Sequence, residues 1–135
     1  MKVLISTSKG GLDDLVCPVF GRCPTFTLVE VDEKEKRIVK TEVMPNPGAM
    51  AGGGAGIAAA QAAINSGAKK VITGSCGPNA MAVLMQAGVN VYSCEGKVED
   101  AVKKLLDGKL PGFTAPNVPG HFGMGFGRRF GRRWR

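Results

Sequence analysis

Two hydrophobic rhythms divide the chain. In the first half the period is short. Lys2 to Thr7 is an apolar run closed off by Gly10 and Gly11, which predicts a strand. After a loop punctuated by Pro18, Gly21 and Pro24, the segments Thr25 to Val31 and Arg37 to Met44 alternate apolar with polar residues. The charged stretch Asp32 to Lys36 joins them, so the pair predicts an antiparallel hairpin. From Ile57 the spacing becomes helical, with Ile57, Ala60 and Ile64 in step up to the stop at Gly67. Val71 to Thr73 is a short β-branched strand. Pro78 suits the first turn of a second helix, which is expected to bury Ala80, Val83, Leu84 and Ala87 and to stop at Gly88. Val89 to Cys94 predicts another strand. Val98, Ala101, Val102, Leu105 and Leu106 mark a last amphipathic helix ending at Gly108.

The predicted order is β-β-β-α-β-α-β-α. An antiparallel meander comes first, followed by βαβ crossovers, which are right-handed and demand parallel strands. The expected fold class is therefore α/β, a mixed sheet of about five strands with three helices on its faces. At 135 residues the chain can bury one core, and it shows neither an internal repeat nor a second domain. No apolar run approaches the roughly 18 residues of a membrane span. The opening MKVLISTSKGG lacks the long apolar region of a signal peptide. The expectation is a cytoplasmic protein without membrane contact.

Charge sharpens the division of the chain. Of 18 basic side chains, Arg128, Arg129, Arg132, Arg133 and Arg135 crowd the last eight residues, leaving 13 against 11 acidic ones elsewhere. The basicity thus belongs to a tail. Residues 1–112 form the expected domain, and 113–135 a glycine, arginine and aromatic extension too poor in apolar surface to order itself. Nucleic acid is not expected as a partner except through this tail, whose arginines and aromatic rings are able to stack on bases. His121, the single histidine, lies in it as an isolated candidate ligand.

Three glycine-bearing loops could carry chemistry, since ligands of open α/β sheets bind beyond the carboxyl ends of strands. Gly52, Gly53 and Gly54 precede the first helix, where backbone N–H groups and the helix N-terminus favour an anion. No strand runs directly into them and no G-K-[ST] follows, so neither a dinucleotide fingerprint nor a P-loop is present. Gly74 to Ala80, containing Cys76 and Gly77, is a second strand-to-helix turn. Val19 to Cys23 brings Arg22, whose guanidinium suits a polyanion. Cys17, Cys23 and Cys76 all lie in loops, and thiolates are preferred ligands of soft metals and iron–sulfur clusters. Against this, a lone cysteine is more often a small buried hydrophobe, which is how Cys94 reads at the end of its strand.

Phe20-Gly21-Arg22, the Gly-Gly-Gly-Ala-Gly-Ile stretch from Gly52, and Thr73-Gly74 followed by Gly77-Pro78-Asn79-Ala80 are similar to motifs of the dinitrogenase iron–molybdenum cofactor biosynthesis family. That family includes NifX and the C-terminal domain of NifB, and the resemblance spans about residues 1–110. It implies a ribonuclease H-like fold and, for the nitrogenase members, binding or carriage of the iron–molybdenum cofactor or its precursor. Arg22, Gly52, Gly53, Gly54, Gly77 and Asn79 become the candidate binding residues. The cysteines are not part of the family's pattern, so Cys17, Cys23 and Cys76 stand as metal ligands on their chemistry alone.

The expected function is a non-catalytic carrier of an anionic iron–sulfur or iron–molybdenum–sulfur cluster, working with cluster donor and acceptor proteins. A metal-free phosphate- or nucleotide-binding regulatory domain is the alternative. A two-metal nuclease is excluded, because such sites need clustered carboxylates. The first strand has none, and there is none between Val43 and Cys94. If the cluster reading holds, Cys17, Cys23 and Cys76 should lie at one end of the sheet around the amides of Gly52 to Gly54.

Overall fold

A computed structural model describes residues 1–50 and 53–110. The elements are β1 (Lys2–Thr7), β2 (Thr25–Asp32), β3 (Arg37–Pro45), α1 (Ala55–Asn65), β4 (Lys70–Thr73), α2 (Pro78–Gln86), β5 (Asn90–Ser93) and α3 (Val98–Leu106), with a one-turn 3-10 helix at Pro47–Met50. The arginine-rich tail, His121 and the boundary near 112 lie outside the described residues, as does Gly52.

The five strands form one sheet in the order β3-β2-β1-β4-β5. β1 pairs antiparallel with β2 and parallel with β4, and β4 pairs parallel with β5. Val3, Leu4 and Ile5 of β1 are fully buried because both faces of the strand are covered, and Ser6 and Thr7 are buried at its end. On one face Leu4, Phe26, Leu28 and Val71 pack with Ala59, Ala60 and Ala63 of α1 and with Ala80, Met81 and Leu84 of α2. On the other, Val3, Ile5, Val29 and Ile72 pack with Val98, Ala101, Val102 and Leu105 of α3. Among the described residues no helix is long and apolar enough to cross a membrane.

Two helix faces differ from the expected ones. α1 buries Ala55, Ala59, Ala60 and Ala63, whereas Ile57 is 45% exposed. α2 buries Met81 rather than Val83, which is only partly buried, and Ala87 is exposed. The reason is steric. α1 packs both on the sheet face and against its neighbour α2, and methyl-sized side chains suit that close approach.

Substitutions on the two faces of α1 separate them. Ala60→Leu should cost about 1–3 kcal/mol by overpacking, while Ile57→Ala should cost under about 0.5 kcal/mol. Urea denaturation of both variants checks this. Equal losses would place Ile57 back in the core.

Candidate functional site

Strand directions gather the candidate loops. The register pairs Thr7 with Thr25 and Thr25 with Pro45, so the end of β1, the start of β2 and the end of β3 share one edge of the sheet. The carboxyl ends of the parallel strands β4 and β5 finish at that same edge. From it emerge the stretches 8–24, 46–50, 53–54 and 74–77.

Side-chain hydroxyls satisfy the buried backbone there. Ser6 Oγ lies 2.8 Å from both the Cys17 carbonyl oxygen and Thr73 Oγ1. Thr7 Oγ1 lies 2.7 Å from Thr25 Oγ1 and 3.1 Å from Thr27 Oγ1. The loop after β1 closes on Asp14, whose carboxylate accepts N–H bonds from Ser8, Lys9 and Gly10 at 2.8–2.9 Å. Burial opposes ionisation, but those donors and the Leu15 N–H hold the Asp14 carboxyl below its ordinary value.

The next stretch is stitched to the start of α2. The N–H of Gly74 donates to the Cys17 carbonyl, the N–H of Phe20 to the Ser75 carbonyl, and Ser75 Oγ to the Pro18 carbonyl at 2.8 Å. Gly74 must be glycine for this approach, because an added Cβ would fall 2.6 Å from Pro18 Cα. Phe20 is fully buried with its ring centroid 5.2 Å from that of Phe26, anchoring the turn that presents Arg22.

Asn46, which belongs to none of the sequence motifs above, holds the other side of that turn. It is 4% exposed, and its Nδ2 donates to the carbonyls of Cys23 at 2.8 Å and Gly21 at 3.2 Å. Its Oδ1 accepts the Gly48 N–H at 2.8 Å. The available signal was the Pro-Asn-Pro spelling at 45–47, a turn former whose amide can bond backbone on both sides.

The result is an open cleft of about 520 Å³. Arg22, Gly54, Gly77 and Asn79 line it together with Val19 and Ser75. The N-termini of α1 and α2 meet there, closest where Gly56 packs on Ala80. Neither helix has a side-chain cap. Gly54, the N-cap of α1, takes a left-handed conformation with φ 71°, which a side chain would disfavour. Each terminus carries about half a positive charge. With Arg22 the cleft therefore presents about two positive charges, and its lining contains no carboxylate. Gly53 is exposed beside Gly54 without lining the cleft.

The cysteines are at the same end of the sheet but do not assemble. Among the described residues no group of three or more His, Cys, Asp or Glu side chains could hold a metal ion. Cys23 and Cys76 are buried in the α1–α2 core, with Cys17 packed against it. Burial pushes the Cys76 thiol up to about 12. Burial does the same to Cys23, aided by Cys17 nearby, also to about 12. At both positions burial disfavours the thiolate form that a soft metal binds.

Comparison with known proteins gives the family. The chain matches the family described as "dinitrogenase iron–molybdenum cofactor" over residues 1–108, and it belongs to that family. An uncharacterised protein of Methanocaldococcus jannaschii is 33% identical over 97 residues, covering 71% of this chain and 80% of that one. The apo form of the orange protein from Desulfovibrio gigas superposes with a TM-score of 0.78 at 37% identity, over 87% of this chain and 96% of that one. A candidate NifB protein from Thermotoga, solved by NMR, gives 0.71 at 27% identity over 88% of this chain and 98% of that one.

Removing the Asn46 amide should leave two buried carbonyls unpaired. Asn46→Ala is expected to lose about 1–3 kcal/mol and to speed modification of Cys23 by a thiol reagent. Unchanged stability and reactivity would mean the turn holds itself. The thiols give a pH dependence of definite sign. Between the ordinary thiol value of 9.0 and about 12 the folded chain keeps protons that the unfolded chain releases. Stability should therefore fall as pH rises through that window. Denaturation midpoints at pH 8 and above pH 10 check it, and a flat profile would contradict the burial of these groups.

Proposed function

We propose that the cleft binds an anionic metal–sulfur cluster of the iron–molybdenum cofactor or precursor type, and that the protein carries this cargo without catalysing a reaction on it. One observation carries the reading: two uncapped helix N-termini and Arg22 converge on a cleft whose lining has no carboxylate. Such a surface matches a polyanion with hydrogen-bond-accepting sulfur atoms. The family points to the same cargo. The D. gigas relative, whose structure is that of an apo form, supports a domain of this shape that holds a removable group.

In this reading the protein's groups hold the cluster without a covalent bond. The backbone N–H groups of Gly56, Asn79 and Ala80 donate to it, and Arg22 offsets its charge from the rim. A cargo held this way can leave for an acceptor protein after arriving from a donor. Thiolate ligation by Cys17, Cys23 or Cys76 is not needed, and burial of two of the three argues against it. The strand order 3-2-1-4-5 supports the ribonuclease H-like assignment. We place the protein in the cytoplasm, where donors and acceptors of such clusters would meet it.

The experiment is anaerobic purification followed by metal and sulfide analysis, then titration with tetrathiomolybdate read by visible absorption. Arg22→Gln should weaken uptake about tenfold, and Asn79→Asp should weaken it while leaving thermal stability unchanged. Cys17→Ser should bind like the parent. Loss of uptake in Cys17→Ser with Arg22→Gln unaffected would replace this account with thiolate ligation.

A further inference from the structure

β3 is an edge strand and the longest in the sheet, at nine residues. Most of its positions are exposed. Val39 and Val43 are 58% and 50% exposed, and the side chains of Lys40 and Glu42 are 64% and 52% exposed. An uncovered edge offers a row of backbone donors and acceptors to another strand.

The order of charges on this edge identifies the strand that fits it. Lys2 on β1 pairs with Glu30 on β2, and Glu30 pairs with Lys40 on β3, so one row across the sheet reads plus, minus, plus. The next position outward calls for a negative charge. The segment Val39-Lys40-Thr41-Glu42-Val43 supplies it to a copy of itself, because in antiparallel register about Thr41 it is self-complementary. Lys40 then stands opposite the partner's Glu42, and Val39 opposite the partner's Val43. β5, the other edge, has four residues and no such symmetry.

We propose that two copies of this protein associate through β3, antiparallel about Thr41, joining two five-stranded sheets into one of ten. The Lys40–Glu42 pair, 3.0 Å apart within one chain, becomes half of a four-charge cluster. Opposite charges facing each other across strands stabilise the pairing, and like charges oppose it. The register shift between Glu30 and Val31 leaves Val39 without a partner on β2. That bulge bounds the contact to a few residues, so the interface is smaller than the roughly 1,200 Å² of a stable complex and the dimer is weak. The two-fold axis sends the two ligand-binding edges in opposite directions, so both clefts stay open. This association does not depend on what the cleft binds.

Sedimentation velocity of the full chain, from about 5 to 500 µM, tests it in the weak-association range. The weight-average mass should climb from that of a monomer toward twice that value. Glu42→Lys alone and Lys40→Glu alone should each weaken association by roughly tenfold or more. The double variant Lys40→Glu/Glu42→Lys should associate again, because the reversed charges remain self-complementary. All these positions are exposed, and circular dichroism checks that each variant is folded. A Thr41→Cys variant should form a disulfide between the two copies of that position under mild oxidation, identified by mass spectrometry. A chain that stays monomeric throughout, single reversals that associate as well as the parent, or a double variant that fails to recover would each overturn the proposal.

Discussion

Everything at the cleft end of the sheet depends on how β1 is paired. With β2 antiparallel on one side and β4 parallel on the other, Thr7, Thr25, Pro45 and Thr73 finish at one edge. Loops far apart in the chain are forced together there, and their backbone groups have no ladder left to join. Ser6, Thr7, Thr27 and Thr73 are buried at or near this edge, and their hydroxyls bond the Cys17, Thr25 and Ser75 carbonyls and the Gly11 N–H. Asn46 does the same for the turn that carries Arg22. A site of fixed shape is thus assembled from loops because hydroxyls and one amide replace the missing sheet partners.

The same packing decides which groups are available for chemistry. The approach of α1 to α2 at Gly56 and Ala80 brings two helix N-termini to one cleft. It also encloses Cys23 and Cys76, and burial drives both thiols toward the neutral form. Donors and positive potential face the cleft while the soft nucleophiles are turned inward. Such an arrangement favours holding an anion by hydrogen bonds and field over covalent ligation.

Much of this was legible in the sequence, for identifiable reasons. Strand and helix positions follow from periodicity, and α3 was plain because its apolar stripe and its charges fall on opposite faces. The face of α1 was not plain. A helix of alanines looks alike from several sides, and the larger Ile57 drew the pattern away from Ala59 and Ala63. Arg22, Gly54, Gly77 and Asn79 stood out as glycine-loop chemistry, and they share a cleft. Asn46 did not stand out, because its role lies in carbonyls more than twenty residues away. The burial of Cys23 and Cys76 was not legible for the converse reason, since both lie in loops of the sequence. A loop folded back over a core buries its side chains as thoroughly as a strand does.

The central claim is that backbone donors at two helix N-termini, with Arg22, hold a metal–sulfur anion. Amide chemical shifts of ¹⁵N-labelled protein, followed during anaerobic titration with tetrathiomolybdate, test it most directly. The account predicts saturable shifts centred on Gly56, Ile57, Asn79 and Ala80, with the Arg22 side-chain N–H moving in step. Shifts centred on Cys17 and Cys23 with those amides unmoved, or no saturable shift at all, would contradict it.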